Sequence, residues 1–458
     1  MNNFAALNLI DPLTQALAEV EYAQMTPVQA AALPAILAGR DVLVQAQTGS
    51  GKTAAFALGL LSKLDATQVR LQGLVLCPTR ELADQVSREI RRLARFIPNV
   101  KVLTLCGGVP LRPHLASLAH EPHIVVGTPG RLLELIELTA LPLKALTVLV
   151  LDEADRMLDR GFAPAIAQLM EHLPQPRQTL MFSATIPPAI RAISRGLQRA
   201  ALDVTLNVES EDALIEQLFF EVEPAQKLAA VTALLLSYRP ESAVVFCNTR
   251  QVVRSVADEL MARQFSVLIL HGELDQRERE EMLVRFANRS ASVLVASDVA
   301  ARGLDIVDLP MVINFDLAAD PDTHLHRVGR TGRAGRRGLA LSLCSAQESP
   351  RANLIKERLG VALRWGRVPA LARANAPLLA PFITVAIDAG RQDKLRPGDL
   401  LGALTGAAGL PATAVGKIDV FPTRTYVAIA RAWQQRAVAG LRAGKIKGRN
   451  FRVRELEA

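Results

Sequence analysis

Two short stretches of the chain have the residue types needed to handle a nucleotide. The first is Ala46-Gln47-Thr48-Gly49-Ser50-Gly51-Lys52-Thr53. Small side chains let backbone N–H groups approach phosphate oxygens, and the start of a following helix adds positive potential. Lys52 would reach the outer phosphates, and Thr53 would ligate magnesium. The second is Asp152-Glu153-Ala154-Asp155, which starts 100 positions after Lys52, directly behind the apolar run at 148–151. A carboxylate at a strand end suits a magnesium ion, held directly or through water. The next carboxylate suits a base that orients an attacking water. Asp152 fits the first task and Glu153 the second. A phosphate-cradling loop and a metal-holding acid are the two halves of a P-loop nucleotidase.

A third stretch is His326-Arg327-Val328-Gly329-Arg330-Thr331-Gly332-Arg333, with arginines at three-residue spacing and two glycines. Arginines delivered across a cleft can neutralise charge on a transferring phosphoryl group, worth roughly 10³ to 10⁵ in rate. Ser183-Ala184-Thr185 follows another apolar run and places two hydroxyls at a strand end.

Something must hold these groups. Short apolar runs alternate with longer helical stretches, at 41–46, 74–77, 124–126, 148–151 and 180–182. A second series lies at 243–246, 267–270, 293–296, 312–314 and 339–343. Such runs fit buried parallel strands joined by crossover helices. The polar motifs sit just after these runs, as do Asn248, His271 and Asp298 in the second series. Ligands of open α/β sheets bind beyond the strand C-termini, so two facing crevices would make one composite site. Residues 202–217 turn acidic and read as a linker. Residues 361–381 read as a second linker, rich in Ala and Pro from 364 onward. After it, runs at 382–387, 415–420, 425–429 and 451–454 read as strands, with helices at 397–404 and 432–441. The order β-α-β-β-α-β is that of the ferredoxin-like fold used by RRM domains. The expected fold class is α/β, with two parallel-sheet domains at 1–205 and 217–360, then a small α+β RRM-like domain at 382–458.

Composition narrows the partners. The chain has 458 residues, half of them hydrophobic, so more than one core is expected. It has no apolar run of membrane-spanning length and no signal-peptide pattern, so a cytoplasmic protein with no membrane partner is expected. Cys77, Cys106, Cys247 and Cys344 lie far apart, without zinc spacing, and read as reduced core thiols. The net charge of +8 is unevenly placed: residues 382–454 hold 13 Lys/Arg and 4 Asp, or +9, leaving about −1 for the rest. A basic module on a near-neutral engine points to a polyanion, most plausibly nucleic acid.

With these motifs the chain over 1–360 resembles the DEAD-box RNA helicases, whose name spells residues 152–155. The resemblance implies that the two parallel-sheet domains are RecA-like and that the chain is an RNA-stimulated ATPase that unwinds short RNA duplexes locally, with ATP and Mg²⁺ as cofactors and RNA rather than DNA as partner. The alternative within it is an ATP-gated RNA clamp that remodels RNA–protein contacts. Tyr22 and Met25-Thr26-Pro27-Val28-Gln29 match the family's Q motif, which implies adenine recognition by Gln29 and stacking by Tyr22; Phe4 matches its upstream aromatic. By the same match Asp305 contacts the ATP ribose, Arg330 and Arg333 are the fingers, and Arg327 bridges to the first domain. Ser183 and Thr185 couple hydrolysis to strand separation through Asp155. RNA contacts map to Thr79, Arg80, Gly108, Thr128, Arg131, Gln276, Arg279 and Ser297. The tail is similar to that of the DbpA subfamily, on Asp388-Ala389-Gly390, Leu395-Arg396-Pro397-Gly398-Asp399, Gly416-Lys417-Ile418 and Gly444-Lys445-Ile446-Lys447-Gly448-Arg449. That similarity implies binding to a hairpin of 23S rRNA and a role in large-subunit assembly. The tail lacks the RRM string of glycine and aromatics. Its expected RNA contacts are therefore Lys417, Lys445, Lys447 and Arg449, with Tyr426 the one aromatic of its strand.

Overall fold

The computed structural model describes the chain apart from residues 1–2, 47–48, 206–214, 299–308, 333–336, 361, 370–377 and 457–458. The described residues form two compact units that divide between Thr205 and Ile215.

The first unit is built on β1 (Val42–Gln45), β2 (Gly73–Leu76), β3 (Val102–Leu105), β4 (Ile124–Gly127), β5 (Val148–Leu151), β6 (Gln178–Ser183) and β7 (Leu202–Thr205). They pair in parallel in the order β3-β4-β2-β5-β6-β1-β7. Alternate residues of a strand face opposite sides. Val42, Val44, Val150 and Phe182 enter one core layer, while Leu43, Leu149, Leu151 and Met181 enter the other. Helices cover both faces, which is why these strands read as unbroken apolar runs.

The second unit opens with β8 (Ile215–Glu221), β9 (Ala243–Cys247), β10 (Val267–Leu270), β11 (Val293–Ser297), β12 (Met311–Asn314), β13 (Gly338–Cys344) and β14 (Trp365–Gly366). The order is β10-β11-β9-β12-β13-β8-β14. Subtracting seven from each label returns the order of the first sheet, so one winding is used twice. Four strands were not foreseen: β3, β7, β8 and β14. Three of them are sheet edges, and β7 and β8 carry polar residues among the apolar ones. The segments at 202–205 and 215–217, expected as linker, are strand.

The tail has β15 (Phe382–Ile387), β16 (Val415–Val420), β17 (Thr425–Ala430) and β18 (Val453–Leu456), antiparallel in the order β16-β17-β15-β18. The helices are Pro397–Gly402, extended by a π-turn over 403–407, and Gln434–Ala443. This is the expected β-α-β-β-α-β fold. Its helices cover one sheet face through Leu400, Leu404, Val438 and Leu441. The other face packs Ala386 and Tyr426 on Val284, in the helix Gln276–Ala287 of the second sheet domain. Nor are the ends of 361–381 a free tether. Trp365–Gly366 joins the second sheet, and the buried Leu378 enters that domain's core, where its carbonyl accepts from Ser292 Oγ at 2.6 Å.

All four cysteines are buried free thiols. No described helix is long and apolar enough to cross a membrane.

Candidate nucleotide site and nucleic-acid interface

β1 leads through the buried Ala46 into the glycine loop, whose Gln47 and Thr48 lie outside the described residues. Gly49 and Gly51 both have φ of +92°, and Gly51 caps the helix Lys52–Lys63. A Cβ on Gly51 would stand 2.6 Å from Gln29 Nε2 and 2.8 Å from Thr26 Oγ1, so this position needs glycine twice over. Ser50 and Thr53 flank it, Thr53 in the first helical turn. Gln29, buried, donates Nε2 to Gly51 O at 3.1 Å and accepts from Thr26 N at 2.9 Å. Each end of its carboxamide keeps capacity for one more partner. Lys52 is 6% exposed and donates Nζ to Ala46 O at 2.6 Å. Its charge is thus held inside the loop where phosphates would sit.

Tyr22 donates its hydroxyl to Glu89 at 2.9 Å, and the Arg92 guanidinium lies 5.7 Å from its ring centroid. Burial, then the Glu89 charge, pushes the phenol up to about 12. Glu89 and Arg92 had no signal in the sequence, because they reach Tyr22 from a helix more than sixty residues away. Phe4 is buried in the same core layer.

Behind β5, Asp152 is 2% exposed. Burial pushes its carboxyl up to about 7 although the Lys52 charge opposes the shift. Glu153 has left-handed backbone, φ 51°, and caps the helix Ala154–Asp159. Its Oε2 is buried, 3.5 Å from Arg156 Nε, and has no hydrogen-bond partner. Asp155 Oδ2 accepts from Thr185 N at 2.8 Å and from Thr185 Oγ1 at 3.0 Å, and Asp155 N donates to Ser183 Oγ at 3.1 Å. The structure therefore brings together Lys52, Asp152, Glu153, Asp155, Ser183 and Thr185 at the C-terminal ends of β1, β5 and β6.

Next to them lie the residues matched to RNA contacts. Thr79 caps the helix Arg80–Leu93, and Thr128 Oγ1 accepts from Gly107 N at 3.1 Å. Gly108 has φ of +79° with open space where a side chain would be. Arg80 pairs with Asp84 at 3.8 Å. Arg131 is 9% exposed, and its guanidinium meets His114 Nδ1 at 2.6 Å, Val109 O at 2.7 Å and Glu134 at 2.8 Å. In this structure Arg131 braces the loop that presents Gly107 and Gly108.

In the second sheet domain, Gln276 and Arg279 start the helix that Asp275 caps, and Ser297 ends β11. Arg330 is 6% exposed, while Arg333 and Asp305 lie outside the described residues. Arg327 was expected to bridge to the first domain. It is 2% exposed, and its guanidinium is engaged inside its own domain: Nε and Nη2 fork onto Asp298 at 2.6 Å each, Nη2 also reaches Asn248 Oδ1 at 2.7 Å, and Nη1 reaches Asp316 O at 2.6 Å. It staples the ends of β9, β11 and β12. The strand-end residues Asn248 and Asp298, noted in the sequence, are its partners.

In the tail, Lys445, Lys447 and Arg449 are exposed on one turn, and Lys417 is 57% exposed beside Asp419 at 3.0 Å. Tyr426 is 1% exposed against Val284, edge-on to Phe421, with its hydroxyl 3.5 Å from Glu281. A base cannot stack on it here, which corrects its assignment as an RNA contact. Its aromatic surface serves docking instead.

Two parallel sheets of one winding, the first carrying a phosphate loop and strand-end carboxylates, define a RecA-like nucleotidase. The comparisons agree in detail. DEAD/DEAH box helicase matches residues 26–193, helicase conserved C-terminal domain 226–335, and DbpA RNA binding domain 384–455. The chain is 54% identical to the ATP-dependent RNA helicase DbpA of Escherichia coli, over the whole of both chains. It is 41% identical to the DEAD-box ATP-dependent RNA helicase CshA of Bacillus cereus, over 76% of this chain and 66% of that one. It is similar to the solved structure of S. cerevisiae Dbp5 bound to RNA and ADP BeF3, with a TM-score of 0.74, 29% identity, and coverage of 80% of this chain and 96% of that one. The chain belongs to the DEAD-box ATP-dependent RNA helicases, in the DbpA subfamily. It is an ATP-hydrolysing enzyme that acts on RNA.

Proposed function

We propose that this helicase unwinds short duplexes of 23S rRNA in the cytoplasm during assembly of the large (50S) ribosomal subunit, addressed there by its tail. The observation that carries the reading is the division of labour in the tail. One sheet face is closed by docking, while Lys445, Lys447 and Arg449 stand exposed on the Gly444–Arg449 turn, with Lys417 exposed on β16. Cations on a turn hold phosphates and the edge of a folded hairpin without needing unstacked bases.

In the engine, the buried Asp152 and the Thr53 hydroxyl offer the hard oxygen donors that magnesium takes along with phosphate and water. Bound there, the ion would neutralise charge on the β and γ phosphates. Lys52 would exchange Ala46 O for a phosphate oxygen. Glu153 would orient water through its carboxylate, whose Oε2 is ion-paired with Arg156 but makes no hydrogen bond. Gln29 would read adenine with its spare donor and acceptor while it senses the loop through Gly51. Arg330 and Arg333 would supply the finger charge, Asp305 the ribose contact, and Asp155 with Ser183 and Thr185 the coupling. Thr79, Arg80, Gly108, Thr128, Gln276, Arg279 and Ser297 would line the RNA path, positioned in part by Arg131.

The test is a titration of the full chain with a 23S hairpin fragment and with a scrambled hairpin of equal length and charge, read as stimulation of ATPase activity. Half-maximal stimulation should need at least tenfold less of the native hairpin. Lys445→Ala with Lys447→Ala should abolish that preference and leave activity with excess generic RNA. Equal response to both hairpins refutes the rRNA address.

A further inference from the structure

The geometry points to a second anion site in the first domain, at the end of the sheet opposite the nucleotide loop, shaped for a terminal phosphate group. A cavity of about 650 Å³ opens at the N-terminal ends of β1, β5, β6 and β7. Its lining includes four cations, Arg40, Lys63, Arg177 and Arg199, and one carboxylate, Asp41. That carboxylate accepts from Thr179 N at 2.8 Å through Oδ1 and from Arg199 N at 2.7 Å through Oδ2, and its single charge, which acts on Lys63 and Arg177, offsets only one of the four positive charges. The side-chain hydrogen bonds of these cations go to neutral groups. Lys63 donates to Gln178 Oε1 at 2.6 Å, Arg199 donates to Gln175, and Arg177 donates to Pro174 O at 3.1 Å. None of the four has a carboxylate within ion-pair distance among the described residues.

Arg177 is the second, independent observation. It is 9% exposed, yet its Nε has no hydrogen-bond partner. A buried guanidinium with an unused donor is costly unless an acceptor completes it. Doubly charged phosphate oxygens meet that need and match the guanidinium fork. The cavity volume suits a mononucleotide-sized ligand. The shared chemistry is a phosphomonoester, which a free nucleotide or the 5′ end of an RNA strand can present.

The experiment uses the full chain, with magnesium and a non-hydrolysable ATP analogue at saturation so that the glycine loop is filled. Inorganic phosphate is then titrated, and the thermal midpoint is followed, since a ligand that binds only the folded state raises it with concentration. The wild type should gain stability at concentrations at least tenfold lower than Arg177→Met or Arg199→Gln. Arg199 is exposed, so Arg199→Gln keeps the test valid if Arg177→Met fails to fold. RNA-stimulated ATPase should be unchanged in Arg199→Gln. Adenosine 5′-monophosphate, and a 5′-phosphorylated RNA tetramer compared with its 5′-hydroxyl form, identify the source by which acts at the lower concentration. General salting effects raise all variants equally. Equal phosphate response in wild type and variants, or no response in any, overturns the proposal.

Discussion

Glu153 sits at φ 51°, a region that costs a non-glycine residue roughly 1–3 kcal/mol and persists where the surroundings enforce it. Its carboxylate is buried beside Arg156, with Oε2 in ion-pair range of that guanidinium but making no hydrogen bond. A side chain held this way is placed for one partner. Glu153→Gln keeps the shape and removes the base, so ATP and RNA should bind as in wild type while hydrolysis falls by about 10² or more. Single-turnover hydrolysis checks this, and a wild-type rate would displace Glu153 from the role of base. His324 gives a prediction of a different kind. Its Nε2 meets Gln217 Oε1 at 3.1 Å, its Nδ1 has no partner, and its ring lies over Phe219. Burial, followed by the Arg327 charge, drives its pKa down to about 3 from 6.5. The folded state then resists a proton that the unfolded chain accepts. Stability is full above pH 6.5 and falls by about 1.4 kcal/mol per unit as the pH drops toward 3. At pH 5 the loss attributable to this group is about 2 kcal/mol. Urea melts of His324→Gln between pH 5 and 8 should show a shallower pH slope than wild type.

Elements were legible where burial is complete. The runs at 148–151 and 243–246 had no polar interruption, because helices cover both faces of a central parallel strand. β3, β7 and β14 escaped because an edge strand has a solvated side and tolerates residues such as Thr104 and Asp203. β8 escaped because Glu216 and Gln217 break its apolar run. Strand-end chemistry was legible as positions, since Asn248 and Asp298 stood out, but not as contacts. Nothing in the spacing shows that Arg327 joins them, since the joining depends on which strands are neighbours. That staple has a consequence for its elements. Removing one partner of a buried, forked ion pair costs about 3–5 kcal/mol. Arg327→Ala should lower the second domain's stability by that amount, and Arg327→Lys by less, since a point charge cannot make the fork. Hydrogen exchange at β9, β11 and β12 measures it. Unchanged protection there would mean that the staple is not structural.

Within the second compact unit, the sheet domain and the tail share an interface that charge counting did not anticipate. The tail was expected to be a basic RNA-binding domain joined by a linker rich in Ala and Pro. Instead Tyr426 and Ala386 cover Val284, Arg424 and Arg454 approach Glu281 at 3.8 and 4.0 Å, and the Ser290 and Thr384 hydroxyls meet at 2.7 Å. Arg431 adds a hydrogen bond to Ala380 O at 2.9 Å, where the chain passes between the two. A docked tail fixes the direction from which a bound hairpin meets the sheet domain, and a tether does not. The apolar part is small, so one change should release it. Val284 is worth about 1.5–3 kcal/mol when buried, and a charge there costs more. Val284→Glu also places a second carboxylate beside Glu281. In that variant the tail should remain folded, because its own core of Leu400, Leu404, Val438 and Leu441 is untouched. Amide exchange should rise at least tenfold in the helix Gln276–Ala287 and stay as in wild type at β15 and β17. Hairpin affinity should hold, while hairpin-stimulated ATPase falls toward the level given by generic RNA. If stimulation survives with the interface open, a flexible tether suffices, and the docking serves stability rather than the transfer of the RNA address to the engine.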